Sequence, residues 1–120
     1  MISLFLFRLS VEPSRAPENV TALQDGAKRI RVTWKPVVRA DRNGNITGYT
    51  VYYRAVEGYY VNVAEQSLKV NASVTKVELS QLEEYVTYNV SVSANTRVGE
   101  GPRSKGVLET TAEASEYRHN

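Results

Sequence analysis

The chain has 120 residues, which is enough for one domain around a single hydrophobic core. Apolar residues make up 42% of the chain and charged residues 23%, a balance that is typical of soluble globular domains and excludes a disordered segment. The formal net charge of +2 is too small to favour binding to nucleic acid. The absence of cysteine excludes a disulfide framework, a thiol nucleophile and a cysteine-ligated zinc site.

The first fourteen residues differ in composition from the rest of the chain. They contain an apolar run, Ile2 to Phe7, without the basic region and the cleavage site of a signal peptide. The run is also far shorter than the ~20 residues that a membrane span needs, so no membrane insertion is expected. We therefore expect residues 1–14 to be an N-terminal extension, a linker or a fragment boundary, residues 15–112 to be the domain, and residues 113–120 to be a linker or tail.

From Ala16 onward, apolar and polar residues alternate in short runs that turn-forming residues separate. This period of two is typical of half-buried strands, and no helical period is present. The runs predict an antiparallel β-sandwich with seven strands: Glu18 to Leu23, Lys28 to Lys35, Ile46 to Ala55, Tyr59 to Ala64, Ser73 to Leu79, Val86 to Thr96 and Lys105 to Thr111.

The parity of the alternation predicts which side chains form the core. Trp34, the only tryptophan, shares the inward face of strand two with other apolar residues, whereas Thr50 in strand three and Ser93 in strand six have the outward parity. The parity of strands five and seven does not assign their faces. The residues that we expect to mark the core are Trp34, Tyr49, Val51, Leu82, Tyr88 and Val90.

An ordered set of short motifs resembles a known family. The set consists of Pro17-x-Asn19-Val20, Trp34 at the end of strand two, ITGYTVYYR from Ile46, LEEYVTYNVSVSA from Leu82, and VGEGP from Val98. In this order, the segment from about Ala16 to Thr111 resembles a fibronectin type III domain, which implies an immunoglobulin-like sandwich without a disulfide. The resemblance also implies a tyrosine corner, in which the Tyr88 hydroxyl bonds to nearby backbone while its ring packs beside Leu82.

The resemblance implies a function as well as a fold. Domains of this family are extracellular modules of adhesion molecules and of receptor tyrosine phosphatases and kinases, so the chain is expected to bind other proteins through its loops or a sheet face, or to space neighbouring domains. The alternatives are a structural spacer of an intracellular muscle-type protein and a linker module of a secreted carbohydrate-active enzyme. No enzyme activity, metal site or cofactor is predicted, because the only histidine is His119 beside the C-terminus.

Four sequons for N-glycosylation support a secreted protein. Composition alone would give roughly one Asn-x-Ser/Thr sequon in a chain of this length, so four is an excess. Polar residues on the exposed faces of strands would also raise the count, and this remains the alternative. The candidate acceptors are Asn19, Asn45, Asn71 and Asn89.

Three charged or amphipathic surfaces are candidates for contact with a partner. The loops at one end of the sandwich are expected to bring together Arg39, Arg42, Arg97 and Arg103. The second candidate is the pair Tyr52 and Arg54 on the outward face of strand three. A glycan on Asn89 would compete with a protein partner for this surface. The third is a basic stripe along strand two. It suggests weak glycosaminoglycan binding, but we expect Glu78 to pair with Arg31 and neutralise part of its charge.

Overall fold

The computed structural model describes Pro13 and residues 15–37, 45–58 and 63–114. These residues form two antiparallel sheets and contain no helix. One sheet has the strand order β1-β2-β5, and the other has the order β4-β3-β6-β7. The strands are β1 (Glu18–Gln24), β2 (Ile30–Lys35), β3 (Gly48–Glu57), β4 (Gln66–Asn71), β5 (Lys76–Leu79), β6 (Thr87–Asn95) and β7 (Val107–Thr110).

The predicted sandwich of seven antiparallel strands is confirmed, but the position predicted for the fourth strand is wrong. Of that prediction, residues 59–62 lie outside the described residues, while Val63 and Ala64 precede β4, which begins at Gln66. Within the part of the chain that the structure describes, β4 lies at a sheet edge and pairs with β3 alone, and five of its six residues are exposed. An edge strand with so little burial needs few apolar residues, and β4 has only two, Leu68 and Val70, so its alternation is a weaker signal than the aromatic and β-branched run that begins at Tyr59.

The core lies between the inward faces of the two sheets. The six residues expected to mark it are each at most 6% exposed. The ring of Trp34 packs against that of Tyr49 with 5.5 Å between centroids and a tilt of 57°. This tilted geometry is favourable for two aromatic rings and adds to the apolar surface that they bury.

The structure assigns the two faces that the sequence left open. The strand β5 begins at Lys76, so Val74, which breaks the parity of Val77 and Leu79, precedes the strand. In β7, Val107 is half-buried and packs against the core, whereas Leu108 is exposed. The strand β5 therefore follows the alternation once its true limits are known, whereas β7 places an apolar residue, Leu108, on its outward face.

The segment that crosses from β5 to β6 is held by two side chains. The backbone N–H of Glu83 donates to the Tyr88 hydroxyl at 2.9 Å, and the nearby Leu82 is buried. The second side chain is Thr111, which directly follows the edge strand β7. Its Oγ1 atom accepts from the N–H of Val86 at 2.9 Å and donates to the carbonyl of Glu83 at 2.7 Å. These bonds satisfy backbone groups of a connection that passes between the sheets.

The described chain enters and leaves the sandwich at opposite ends. Pro13 is buried beside Gly101, where a Cβ atom would lie 2.7 Å from the Pro13 carbonyl oxygen, so this close approach requires glycine. At the other end, the N–H of Ala112 donates to the carbonyl of Gly26 in the β1–β2 turn at 3.0 Å. The strand β1 runs from the first end to the second, so they are roughly 20 Å apart.

Candidate interaction site

Two side chains with the outward parity are buried on the four-stranded sheet. Thr50 of β3 is 2% exposed and Ser93 of β6 is 0% exposed. The reason is the chain that follows β6: after a turn in which Thr96 N–H bonds to Gly99 at 2.9 Å, Glu100 returns beside Asn95. The Asn95 amide then donates to Thr50 Oγ1 at 2.9 Å, and the Glu100 carboxylate lies against Ser93. The outer face of this sheet is therefore partly covered by its own loop.

A set of five side chains, called here the Glu100 cluster, joins this loop to the sheet. The hydroxyls of Tyr52 and Ser93 both donate to Oε2 of Glu100. The guanidinium carbon of Arg103 lies 3.4 Å from the centre of the Tyr52 ring, and its Nη1 is 2.9 Å from Oε2 of Glu65. Because Glu65 directly precedes β4, the cluster connects β3, β4, β6 and the segment from Glu100 to Arg103.

The electrostatics of the Glu100 cluster favour one protonation state. Partial burial works to raise the pKa of Glu100, but the hydrogen bonds that its carboxylate accepts from Ser93 and Tyr52 outweigh it and lower that pKa. Burial, together with the neighbouring carboxylate, raises the pKa of Tyr52. At neutral pH the phenol therefore keeps its proton, Glu100 keeps its charge, and the hydrogen bond between them persists.

An open groove of about 440 Å³ lies beside the cluster, between the 96–99 turn and the start of β3. Its lining is mainly polar and includes Lys69 and Arg97 as well as Glu100. Of the four arginines predicted at this end, Arg97 lines the groove, whereas Arg103 lies on the Tyr52 ring and pairs with Glu65. Arg39 and Arg42 lie outside the described residues.

The second candidate surface, Tyr52 with Arg54, differs from its prediction at one of the two residues. Arg103 lies over the ring of Tyr52, and the Tyr52 hydroxyl donates to Glu100. Arg54, in contrast, is exposed. Arg54 stands directly opposite Asn89 on β6, so the predicted competition between a partner and a glycan has its geometric basis here. No local feature of the sequence indicates that Glu100 and Glu65 approach the Tyr52–Arg103 pair.

All four candidate glycosylation acceptors are exposed. Asn19 has a positive φ of 55° at the irregular start of β1, and Asn45 lies shortly before β3. The Asn71 Oδ1 atom accepts from Ser73, from its N–H at 3.0 Å and its hydroxyl at 2.7 Å. The amide of Asn89 lies over Gly106, where a Cβ atom would approach its Oδ1 to 2.2 Å. Each side chain can be reached from solvent, and glycosylation itself stays a prediction.

The basic stripe on β2 is partly neutralised. Glu78 is the cross-strand partner of Arg31, but the ion pairs are Arg29 with Glu78 at 3.8 Å and Arg31 with Asp25 at 3.2 Å. A hydrogen bond between the two carboxyl groups lowers the pKa of Asp25 and raises that of Glu78. These exposed pairs contribute little stability, but they reduce the positive charge available to a glycosaminoglycan.

Among the described residues, no three side chains of histidine, cysteine, aspartate or glutamate are grouped as a metal site would require. His119 lies outside that part of the chain. Within the same residues, no helix is long and apolar enough to cross a membrane.

Comparison with known proteins gives a consistent result. The family model described as "Fibronectin type III domain" matches residues 15–110. The chain is 37% identical over 105 residues to mouse receptor-type tyrosine-protein phosphatase F and 34% identical over 103 residues to mouse protein sidekick-2. These alignments cover 84% and 86% of the chain but only 5% of each relative.

Solved structures show the same similarity. The third fibronectin III domain of human KIAA0343 protein superposes with a TM-score of 0.78 at 27% identity, covering 86% of both chains. The FN1–FN3 domains of chicken CNTN1 give a TM-score of 0.73 at 25% identity, covering 84% of this chain and 33% of that one.

Proposed function

The chain belongs to the fibronectin type III family, and on this premise we propose that it is a non-catalytic module of a multidomain extracellular or cell-surface protein. It holds neighbouring domains apart and contacts other proteins, as a part of an adhesion molecule or receptor ectodomain. Residues 15–112 form the module, with Pro13 and Ala114 packed against it. The relatives support this class, since one is a receptor-type phosphatase, and the chain matches about 5% of its length.

The observation that carries the proposal is the position of the two points at which the described chain enters and leaves the sandwich. Pro13 lies against Gly101 at one end, and Ala112 bonds to Gly26 at the other. A domain joined to each end would extend the array along the strands instead of folding back beside the sandwich. Such an arrangement leaves both sheet faces and the loops accessible to partners.

The partner contact is assigned to the end of the sandwich where the groove lies. The Glu100 cluster holds the 96–99 turn against the sheet, so Arg97 and Lys69 are presented from an ordered surface. A surface that is ordered before binding loses less conformational entropy when a partner docks. Arg103 supports this surface through Tyr52 and Glu65, while the predicted loop residues Arg39 and Arg42 lie outside the described residues.

Distance measurement between spin labels tests the end-to-end geometry. The chain has no cysteine, so Arg15→Cys with Glu113→Cys gives two unique, exposed labelling positions. We expect one narrow distance distribution centred at about 30 Å, the length of β1 with its flanking residues. A control pair at Arg15 and Lys35, which lie at the same end, should be markedly closer. Equal distances for the two pairs would contradict the spacer role.

Expression through the secretory pathway tests the location. We expect secretion of folded chain carrying N-glycans that a glycosidase removes, with the mass change assigning the occupied asparagines. Substitution of each candidate asparagine by glutamine, one at a time, should remove one glycan at each occupied site. Secreted protein with all four sequons unmodified would favour the intracellular structural module instead.

A further inference from the structure

The strand edges of the two sheets are not equivalent. The strands β5 and β7 have four residues each, which limits the pairing that they offer. The strand β1 is longer, but its register shifts between Glu18 and Thr21, and its Gln24 N–H donates to the carboxylate of Glu109 in β7 at 2.7 Å. In contrast, β4 pairs all six of its residues with β3 in an unshifted register. It is the long, regular edge among the described strands.

With respect to residues 15–37, 45–58 and 63–114, the side of β4 that faces away from β3 has unpaired backbone groups. Among the described residues, the one bond outside the sheet is the Asn71 carbonyl, which accepts from Val74 N–H at 3.1 Å and closes the turn after the strand. In an antiparallel strand, alternate residues point both backbone groups away from a given neighbour. This edge therefore offers N–H and C=O groups to another extended strand.

The side chains of β4 do little to block such pairing. The strand contains no proline, and Lys69 is its one charged residue. Leu68 shares its face with the buried Val51, yet 36% of Leu68 remains exposed. Native edge strands are commonly protected by proline, bulges or several charges, so β4 is lightly protected.

We propose that β4 pairs with β4 of a second copy of this chain, antiparallel and around a two-fold axis, so that the two four-stranded sheets become one continuous sheet. A symmetric pairing must place inward side chains beside inward side chains, because strand faces alternate. Two registers that satisfy this rule pair five residues of each copy: one has Leu68 on the axis, and the other has Lys69 there.

Charge selects between these two registers. With Lys69 on the axis, the two lysines stand directly opposite one another, which destabilises the pair. With Leu68 on the axis, the two exposed leucines cover each other, Ser67 stands opposite the partner's Lys69, and Gln66 stands opposite the partner's Val70. In the Leu68 register, β4 pairs with a second copy without opposing like charges, and the mutual burial of the two exposed leucines favours that occupant.

Sedimentation equilibrium on bacterially produced chain tests the proposal, and the absence of glycans makes the result independent of sequon use. Interfaces that bury less than about 1,200 Å² are weak, so concentrations from about 10 µM to about 1 mM are needed. The average mass should rise from 13.4 kDa towards twice that value. Hydrogen exchange at the same concentrations should show added protection confined to residues 66–71.

Leu68→Lys provides the decisive variant, because it places two positive charges on the proposed axis. We expect it to weaken dimerisation about fivefold. The matched control is Leu23→Lys, which alters an exposed leucine of β1 in the other sheet and should not affect the dimer. Mixing Leu68→Lys with Leu68→Glu should restore association, which also shows that both variants are folded.

Three results would overturn the proposal. One is a chain that stays monomeric up to the highest concentration, which would leave this edge to an extended segment of a different protein. Another is a dimer that survives Leu68→Lys but not Leu23→Lys. The third is protection that appears on β1 or β7 instead of β4, because it would assign the dimer to a different edge.

Discussion

The outer faces of the two sheets follow the same alternation but differ in burial. On the three-stranded sheet, the outward residues Arg31, Lys35 and Glu78 are exposed and Thr33 is half-buried, as their parity predicts. On the four-stranded sheet, Ser93 has the outward parity and is fully buried, because the loop that carries Glu100 lies over it. The alternation of a strand thus identifies the face of a side chain, but it does not reveal whether another segment covers that face.

Trp34→Ala should have the largest effect on stability, because Trp34 lies in the core between the two sheets. We expect a loss of about 3–5 kcal/mol in the free energy of unfolding, since a large buried ring is replaced by a cavity. Chemical denaturation at neutral pH measures it. Leu23→Ala, on an exposed face, serves as the control and should change stability by less than about 0.5 kcal/mol. Similar losses for both variants would mean that Trp34 is not the centre of the core.

Ser93→Leu and Thr33→Leu test the difference between the outer faces directly. At Ser93 the larger side chain has no room beneath Glu100, so we expect a destabilisation of about 1–3 kcal/mol from overpacking. At Thr33, on the open face, the same change removes one exposed hydrogen bond, to Thr21 Oγ1, and should cost less than about 1 kcal/mol. Paired denaturation curves provide the comparison, and equal effects at the two positions would show that both faces are open.

Glu100→Gln should have the smallest effect on the free energy of unfolding. The pH dependence of that effect tests whether Glu100 holds the loop on the outer face. Because its pKa is lowered in the folded state, Glu100 stabilises the fold above its ordinary value of 4.5, and this contribution is lost as pH falls through the lowered pKa. The side chain is exposed, so screening limits the effect at neutral pH to below about 1 kcal/mol.

Thermal unfolding of this variant and the wild type between about pH 7 and about pH 3 measures the effect. The two proteins should differ at neutral pH and converge in acid. Glu57→Gln, which removes the charge of an exposed glutamate of β3, is the control for a general loss of negative charge. A difference between Glu100→Gln and wild type that grows towards acid pH would contradict the assigned hydrogen bonds.

The sequence predicted the inner faces well because they follow from period and residue type. Trp34 and Tyr49 are large, apolar and in phase with their strands, so burial between two sheets was the expected outcome. Tyr88 was placed by the resemblance, and its hydroxyl bonds to backbone five residues earlier in the chain.

The sequence could not predict features that depend on pairing between distant segments. The strand β4 has only two apolar residues, Leu68 and Val70, because its position at an edge leaves most of it exposed. The burial of Ser93 depends on a glutamate seven residues later, on the far side of a turn. Nothing in the local sequence predicts the direction of that turn. The ion pair between Arg103 and Glu65 is likewise not predicted, because the two residues are far apart in the chain.

Thiol labelling of Ser93→Cys tests most directly that the loop closes this face. The chain has no other cysteine, so the reaction rate with a thiol reagent reports one position, and Ser67→Cys on the exposed part of the same face is the reference. A covered thiol reacts only when the loop opens, so we expect Ser93→Cys to react at least about tenfold more slowly than Ser67→Cys in the native protein and equally fast in denaturant. Equal rates in the native protein would show that the face is open and contradict the account.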